Sequence, residues 1–227
     1  MSVVTALGAA ALAAALATGE VGPVLVIPPE GRGGAPPGWI GHAVAELLPR
    51  ALQRAGVLAA SGGERRQAQA ALGFPPGTLT RATAVRLAEG LGSPRLVVGS
   101  WDTRGADVVL SLRLVDVGRA STSAPLVSEG PLSGLARAVH ALAWDAALAG
   151  PAAPGGTRDA LVHAADAVPF EALRALGEGL AAGDTTAQAQ GVRRALRAAP
   201  SFEEAALALG RILVDAERFE EAREALR

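Results

Sequence analysis

The sequence contains no cysteine, lysine, tyrosine or asparagine, and all 21 of its cationic side chains are arginines. Without cysteine the chain can form no disulfide, thiolate zinc site or iron–sulfur cluster, and it has no thiol nucleophile. Without lysine it has neither a Walker-type phosphate-binding lysine nor a Schiff-base amine. Lysine, asparagine and tyrosine have AT-rich codons, so their absence is typical of a GC-rich coding sequence. Several classes of catalytic and metal site are therefore excluded before any motif is considered.

What the chain does contain is largely apolar and nearly neutral. Of its 227 residues, 50% are hydrophobic and 19% are charged, and the formal net charge is -1. This composition excludes a collagen, a disordered polyampholyte and a strongly basic nucleic-acid-binding protein. The length is sufficient for one large globular domain or for two small ones.

The first apolar run, residues 3–17, consists almost entirely of Ala, Leu and Val. It is too short to span a bilayer as a helix, and it has the length of the apolar part of a secretory signal peptide. Residues 15–17 form the small-x-small pattern of a cleavage site, and the sequence becomes polar at Thr18. No arginine precedes the run, so an Ala-rich helix is the alternative interpretation. We predict a signal peptide over residues 1–17 and a periplasmic or cell-envelope location, with a cytoplasmic location if the segment is not a signal.

Residues 24–149 alternate between short apolar runs and amphipathic segments, which is typical of an α/β domain. Residues 24–27 are an apolar run closed by two prolines, and they predict a buried strand. Residues 95–101 and 107–117 alternate as the two arms of a β-hairpin. The remaining predicted elements are strands at residues 57–60 and 123–128, and helices at residues 40–55, 64–72, 80–91 and from 132 onward, with a kink at Pro49.

A stretch rich in Gly, Pro and Ala at residues 150–156 is the best candidate for a linker. The charge balance changes there. Residues 1–150 hold 12 arginines against 10 acidic residues, a balance of +2, and residues 151–227 hold 9 against 12, a balance of -3. We predict an α/β domain over residues 18–149, a linker over residues 150–157 and a second segment over residues 158–227.

Three stretches of the first predicted domain carry a family resemblance. They are the opening apolar strand at residues 24–28, the helix, turn and Gly-Ser strand at residues 88–100, and the strand end Leu-Arg-Leu-Val-Asp-Val-Gly-Arg at residues 112–119. In these stretches the chain resembles the TolB amino-terminal-like domain, an α/β module that is also related to the flagellar FlgO domain. The resemblance implies a mixed sheet with flanking helices and an interaction module that is often exported. It supplies no catalytic residues.

The second segment contains an internal repeat. Residues 170–177 are echoed by residues 202–210, and the spacing from Gly177 to Gly210 is 33 residues. Further matches are Leu213, Phe219, Ala222 and Leu226 in the second copy, and Ala195 and Pro200 in the first. This pattern resembles the tetratricopeptide repeat, which has about 34 residues. The resemblance implies an all-α segment of helical hairpins that is incomplete at its C-terminus, and two generic Ala-rich hairpins are the alternative.

Residue types that carry catalysis or bind metals are scattered along the chain. His42, His140 and His163 lack the i, i+4 spacing and the nearby Glu of a zinc helix. Glutamates within residues 203–224 lie on predicted amphipathic helices, where a charged outer face is expected. The Gly-x-Gly-x-x-Ala stretch at residues 177–182 follows no strand, so it does not predict a dinucleotide site. We predict no catalytic residue, no metal site and no cofactor.

These features predict a non-enzymatic adaptor or assembly protein of the bacterial envelope. Its predicted partner is a protein or peptide, and we expect neither a nucleic-acid partner nor a stable membrane span. In a tetratricopeptide array the first helix of each repeat lines the concave groove, which implies the partner-binding residues Glu171, Arg174, Glu178, Glu204, Arg211 and Asp215. The alternative is a small-molecule-sensing α/β module with its ligand at the carboxyl ends of the strands, near residues 28–38 and 100–105. A third hypothesis is an enzyme with a hydrolytic site of unfamiliar pattern.

Overall fold

The structure is a computed structural model that describes residues 22–32, 38–75, 79–150 and 153–227. The predicted signal peptide lies outside the described residues. In the described α/β part, the strands are β1 (Val24–Val26), β2 (Glu30–Gly31), β3 (Arg95–Arg104), β4 (Asp107–Asp116), β5 (Ser121–Thr122) and β6 (Leu126–Pro131). Its helices are α1 (Trp39–Arg54), α2 (Gly62–Ala71), α3 (Arg81–Gly90) and α4 (Leu135–Leu148), and a short 3₁₀ turn at Leu132–Gly134 precedes α4.

The strands form one mixed sheet with β3 and β4 at its centre. β3 and β4 are the predicted hairpin, and their antiparallel register runs from Arg95 opposite Asp116 to Arg104 opposite Asp107. β1 and β2 pair in parallel with β3 on one side, while β5 and β6 pair antiparallel with β4 on the other. Parallel pairing of β1 with β3 requires a crossover, and α1, α2 and α3 provide it.

The predicted strand at residues 57–60 is reduced to one bridge, between Val24 and Ala59. The N–H of Val24 donates to the carbonyl of Leu58 at 2.8 Å. Ser61 follows at once as the N-cap of α2, and its hydroxyl oxygen accepts from the backbone at the third helical position. The extended segment is therefore too short to add a full strand to the sheet.

The predicted strand at residues 123–128 begins later than expected, as β6. Ser123 is held outside that strand by two hydrogen bonds to Leu114. Its N–H donates to the carbonyl of Leu114 at 2.8 Å, and its hydroxyl oxygen accepts from the N–H of Leu114 at 3.0 Å. The chain becomes regular only after this anchor point, where β6 pairs with β4.

The second part of the chain is helical. Its helices are α5 (Arg158–Ala164), α6 (Phe170–Leu180), α7 (Thr185–Ala198), α8 (Glu203–Asp215) and α9 (Phe219–Ala225). α6 packs against α7, and α8 packs against α9, as two consecutive hairpins. The predicted fold class is confirmed: an α/β part with a mixed sheet and flanking helices is followed by an all-α segment of helical hairpins.

The helices α6 and α7 cross at a pair of glycines. A Cβ atom on Gly179 would lie 2.9 Å from the backbone of Gly191, and a Cβ atom on Gly191 would overlap the Cα of Gly179. Gly177, the glycine of the predicted repeat, faces α1 instead, because a Cβ there would lie 2.5 Å from the carbonyl oxygen of Trp39. The first hairpin therefore uses glycine twice, once between its own helices and once against α1.

α1 is shared by both parts of the chain. It packs against the sheet and α4, and also against α6 and α8. Ile40, Val44 and Leu47 of α1 are fully buried in a core that extends from the sheet into the hairpins. The helix continues through Pro49, and the kink that the sequence predicts there stays a prediction. A second, smaller core lies on the opposite face of the sheet, beneath α3.

The predicted linker contacts the end of α1. The N–H of Gly155 donates to the carbonyl of Ala55 at 3.0 Å, which ties the segment back to the α/β part. Within the described residues, the core is continuous on both sides of this segment. The division of the chain into domains at residues 150–157 stays a prediction.

Candidate functional site

A groove with a volume of about 390 Å³ lies between α1, the start of α2 and α8. This volume is within the range of ligand pockets in proteins. We call this surface the α1–α8 groove. Its lining includes Glu46, Pro49 and Arg50 of α1, Glu204, Leu207, Arg211 and Val214 of α8, and Leu226 after α9.

α8 presents an uncovered stripe to this groove. Glu204, Leu207, Arg211 and Val214 follow one another at steps of three and four residues, so they share one face of the helix. Leu207 is 52% exposed and Val214 is 41% exposed. Leu226 borders the same groove and is 54% exposed. Three large apolar side chains thus meet solvent around one groove, an arrangement that is typical of interaction surfaces.

Two charged side chains of α8 each contain a buried atom that has no hydrogen-bond partner. The Glu204 carboxylate is buried, and its Oε1 accepts no hydrogen bond, although the Arg54 guanidinium lies 3.7 Å away. Nη2 of Arg211 donates to Oε1 of Gln67 in α2 at 2.6 Å. Nε of Arg211 is buried and lies 3.2 Å from the Asp215 carboxylate without hydrogen-bond geometry. Both atoms are shielded from solvent in this structure, so a molecule in the groove reaches them only if the two side chains turn toward it.

A buried charge cluster at the base of the groove fixes α2 against α1. The Glu46 carboxylate forms an ion pair with Arg66 and lies 3.5 Å from Nη2 of Arg65. Gly62 permits this approach, because a Cβ there would overlap that carboxylate. Burial lowers the pKa of Arg65 to about 10, and the Glu46 charge opposes the shift. Two guanidiniums face one carboxylate, so the cluster carries an excess of positive charge.

His42 packs beside this cluster and His140 beside Arg54, and neither histidine lines the groove. Burial lowers the pKa of both His42 and His140 from its ordinary value, and the charge of a neighbouring arginine acts in the same direction. Nδ1 of His140 lies 2.8 Å from the carbonyl of Ala136, to which it donates, and Nε2 faces Nη1 of Arg54 at 3.5 Å. This environment favours a neutral imidazole with a structural role.

The six residues predicted to bind a partner divide between two helices. Glu171, Arg174 and Glu178 lie on α6, where Nε of Arg174 donates to Oε1 of Glu178 at 2.8 Å. Glu204, Arg211 and Asp215 lie on α8, and of these Glu204 and Arg211 line the α1–α8 groove. The structure therefore brings only Glu204 and Arg211 of the six to this groove. Partner binding by any of the six stays a prediction.

The exposed apolar residues of the groove were not identified from the sequence. Leu209 and Ile212 of α8 are buried in the core, whereas Leu207 and Val214 of the same helix remain exposed. A helix with apolar residues on two faces has more apolar surface than a single packing contact covers. The apolar residues on two faces of α8 were therefore the sequence signal from which an exposed apolar surface could have been predicted.

A second cavity, of about 340 Å³, lies on the face of the sheet opposite α1. Pro28 and Ser100, which belong to the regions of the ligand-binding alternative, are among its lining residues. We call it the sheet-face pocket. Its lining also includes Glu30, Arg32, Arg81, Leu96, Val98, Ser111, Arg113 and Val115.

Two further properties concern only the described part of the chain. It contains no group of three or more His, Asp or Glu side chains arranged to hold a metal ion. No helix in it combines the length and the apolar composition needed to cross a membrane.

Comparisons with known proteins give structural neighbours but no family. No family model matches the chain, and no curated protein matches it significantly. The LpoB C-terminal domain from Salmonella enterica is 17% identical with a TM-score of 0.40, over 53% of this chain and 91% of that one. The LpoB C-terminal domain from Escherichia coli is 21% identical with a TM-score of 0.41, over 50% of this chain and 85% of that one.

A third neighbour is the NMR structure of E. coli LpoB, which is 18% identical with a TM-score of 0.38, over 48% of this chain and 55% of that one. At these TM-scores and identities the three likenesses establish no family for this chain. The resemblances to the TolB amino-terminal-like domain and to the tetratricopeptide repeat stay predictions.

Proposed function

We propose that this protein is a non-enzymatic adaptor of the bacterial cell envelope that binds a protein partner. In this proposal the partner places an amphipathic helix in the α1–α8 groove. The observation that carries the proposal is the uncovered stripe of α8, in which Leu207 and Val214 are exposed on either side of Arg211.

A helix suits this groove because two of its walls are themselves helices. A third helix can pack its side chains into the spaces between those of α1 and α8. Leu207 and Val214 are seven residues apart, so the stripe is about 10 Å long, or two helical turns. A partner helix with apolar residues at positions i, i+3 or i+4, and i+7 matches that length.

The charged groups of the stripe favour a partner with matching polar groups. Oε1 of Glu204 and Nε of Arg211 are buried without hydrogen-bond partners. A buried polar group that lacks a partner costs about 1–3 kcal/mol. Both atoms are shielded from solvent, so a partner reaches them only when the two side chains turn toward the groove. A partner that then donates to Glu204 and accepts from Arg211 removes that cost, whereas a purely apolar helix does not. In this proposal, these two groups give the groove its selectivity.

The envelope location and the repeat register rest on the sequence patterns. Residues 1–17 have the composition of a signal peptide. We expect mass spectrometry of the native protein to find a mature N-terminus near Thr18, and an intact Met1 would contradict export. The tetratricopeptide register is supported by the two hairpins and by Gly210, where a Cβ would lie 2.8 Å from the Leu226 side chain. In that register Glu171, Arg174 and Glu178 form a further contact row on α6.

The first experiment places a photo-crosslinking amino acid at position 207 of the full chain, expressed in its native host. Leu148 is the matched control, because it is 59% exposed at the end of α4 and does not line the groove. We expect crosslinks from position 207, but not from position 148, to one helical segment of one partner. Equal crosslinking from the two positions would mean that any exposed position crosslinks to the same proteins, and it would contradict binding at the groove.

The second experiment measures binding of that segment, as a synthetic peptide, by calorimetry. Leu207→Glu and Val214→Glu should each weaken binding by about tenfold or more, because each removes a buried apolar contact. Leu148→Glu should leave binding unchanged. Arg211→Glu should weaken it, and Arg174→Glu should do so only if the row on α6 also contacts the partner. Unchanged affinity in both groove variants would contradict the proposal.

A further inference from the structure

The sheet-face pocket is separate from the α1–α8 groove because the sheet lies between α1 and the pocket. Side chains on one face of β3 and β4, including Val97 and Leu110, belong to the core around α1. Those on the other face, including Leu96 and Val115, belong to the smaller core beneath α3 and line the pocket. The pocket volume of about 340 Å³ is within the range of small-molecule sites.

The wall of the pocket changes from apolar to polar along the strands. Three rows of paired residues form it: Leu96 with Val115, Val98 with Arg113, and Ser100 with Ser111. Glu30 of β2 extends the third row beside Ser100. Residues two apart on a strand are about 7 Å apart, so the first and third rows are separated by about 13 Å. The pocket thus has an apolar end and a polar end.

The lining of the pocket is positively charged. It contains the guanidiniums of Arg32, Arg81 and Arg113, and the only carboxylate among its described lining residues is that of Glu30. Within the described residues, none of the three guanidiniums has a carboxylate within 4.0 Å. Arg113 is fixed in place, since its Nη1 donates to the carbonyl of Ser123 at 2.9 Å. Three guanidiniums without an ion-pair partner among the described residues therefore line a partly apolar cavity that also holds the Glu30 carboxylate.

We propose that the sheet-face pocket binds a small amphipathic anion, with a carboxylate or phosphate head on a short apolar chain. Guanidiniums donate paired hydrogen bonds to such oxyanions, and the Ser100 and Ser111 hydroxyls supply further donors from the third row, next to the row that holds Arg113. The apolar chain lies against Leu96, Val98 and Val115, and its burial removes apolar surface from water. This site adds a small-molecule ligand to the adaptor role and does not depend on it.

The test uses the full chain and octanoate as the probe, with binding measured by calorimetry and by the shift of the melting temperature. Octyl phosphate carries the other oxyanion head. Octylammonium has the same chain with the opposite charge, and acetate has the head without the chain. We expect saturable binding at one site and a raised melting temperature with octanoate or octyl phosphate, and neither effect with octylammonium or acetate.

Two substitutions locate the site. Arg113→Gln and Arg32→Gln should each weaken binding of the anion by about tenfold, because each removes a charge-assisted contact. Arg104→Gln is the matched control, since Arg104 is an exposed arginine of β3 that does not line the pocket. Any of three results overturns the inference: no saturable binding of either anion, equal binding of octylammonium, or unchanged affinity in both pocket variants. The assay contains no partner protein, so its failure leaves the adaptor proposal intact.

Discussion

The substitution Gly191→Ala tests the close crossing of α6 and α7. The new methyl group would overlap the Cα of Gly179 and lie 2.9 Å from the nitrogen of the same residue. A flexible side chain could rotate away from such a contact, but backbone atoms inside a helix cannot. The two helices must therefore move apart, and the packing of the first hairpin is lost over several residues.

The expected cost has two opposing parts. Overpacking of a close-packed contact costs about 1–3 kcal/mol, and this contact belongs at the upper end because backbone meets backbone. Alanine recovers about 1 kcal/mol relative to glycine in a helix interior. The expected net loss is about 2 kcal/mol of unfolding free energy, which lowers the melting temperature of a chain of this size by roughly 4–8 °C.

Urea unfolding, followed by circular dichroism, measures this loss. Gly63→Ala is the matched control, because Gly63 is also helical and a Cβ there would have only ordinary contacts at 3.8 Å. That control should be neutral or up to about 1 kcal/mol more stable. If Gly191→Ala is within about 0.5 kcal/mol of the wild type, or gains stability as the control does, the close crossing is refuted.

Three other substitutions give further tests by urea unfolding. Glu46→Gln should cost about 3–5 kcal/mol, because it leaves the buried Arg65 without its counter-charge, and a cost below about 1 kcal/mol would contradict that role. Burial lowers the pKa of His140 in the folded chain. In the unfolded chain the pKa of this histidine is about 6.5, so the unfolded chain binds the proton first as the pH falls. The stabilisation contributed by neutral His140 should be complete above about pH 6.5 and be lost as the pH falls through the folded-state pKa, and this loss should be smaller in His140→Gln. Gly210→Leu should cost only about 1 kcal/mol, since it displaces the exposed side chain of Leu226 rather than backbone.

The C-terminal end of α1 and both ends of α3 could be predicted from the sequence because their signals are local. Thr80 is the N-cap of α3, and its hydroxyl oxygen accepts from the N–H of Thr83 at 3.2 Å. Gly56 and Gly92 follow the ends of α1 and α3 with φ values of +84° and +59°, a conformation that glycine adopts without strain. Each signal involves residues that are close in sequence, so no tertiary structure is needed to interpret it.

Packing partners could not be predicted in the same way. The apolar run of β1 indicates a buried strand, but nothing within it specifies parallel pairing with β3. Gly177 belongs to the predicted repeat, yet it faces Trp39 of α1 rather than the second helix of its own hairpin. The exposure of Leu207 and Val214 likewise depends on how α1, α2 and α8 meet, which is a property of distant segments. The sequence therefore identified Glu204 and Arg211 as binding residues, but it did not predict the groove or the exposed apolar side chains beside them.

The position of α1 between the sheet and the hairpins has a consequence for fragments of this chain. The ring of Trp39 packs edge-on against that of Phe170, with centroids 5.9 Å apart, and Ala43 packs where Gly177 approaches. A fragment that ends before α6 would expose this apolar side of α1, and a fragment that begins at α5 would expose the facing side of α6. Exposed apolar surfaces of this kind promote association. Each half of the chain thus covers the surface through which the other half, made alone, would self-associate.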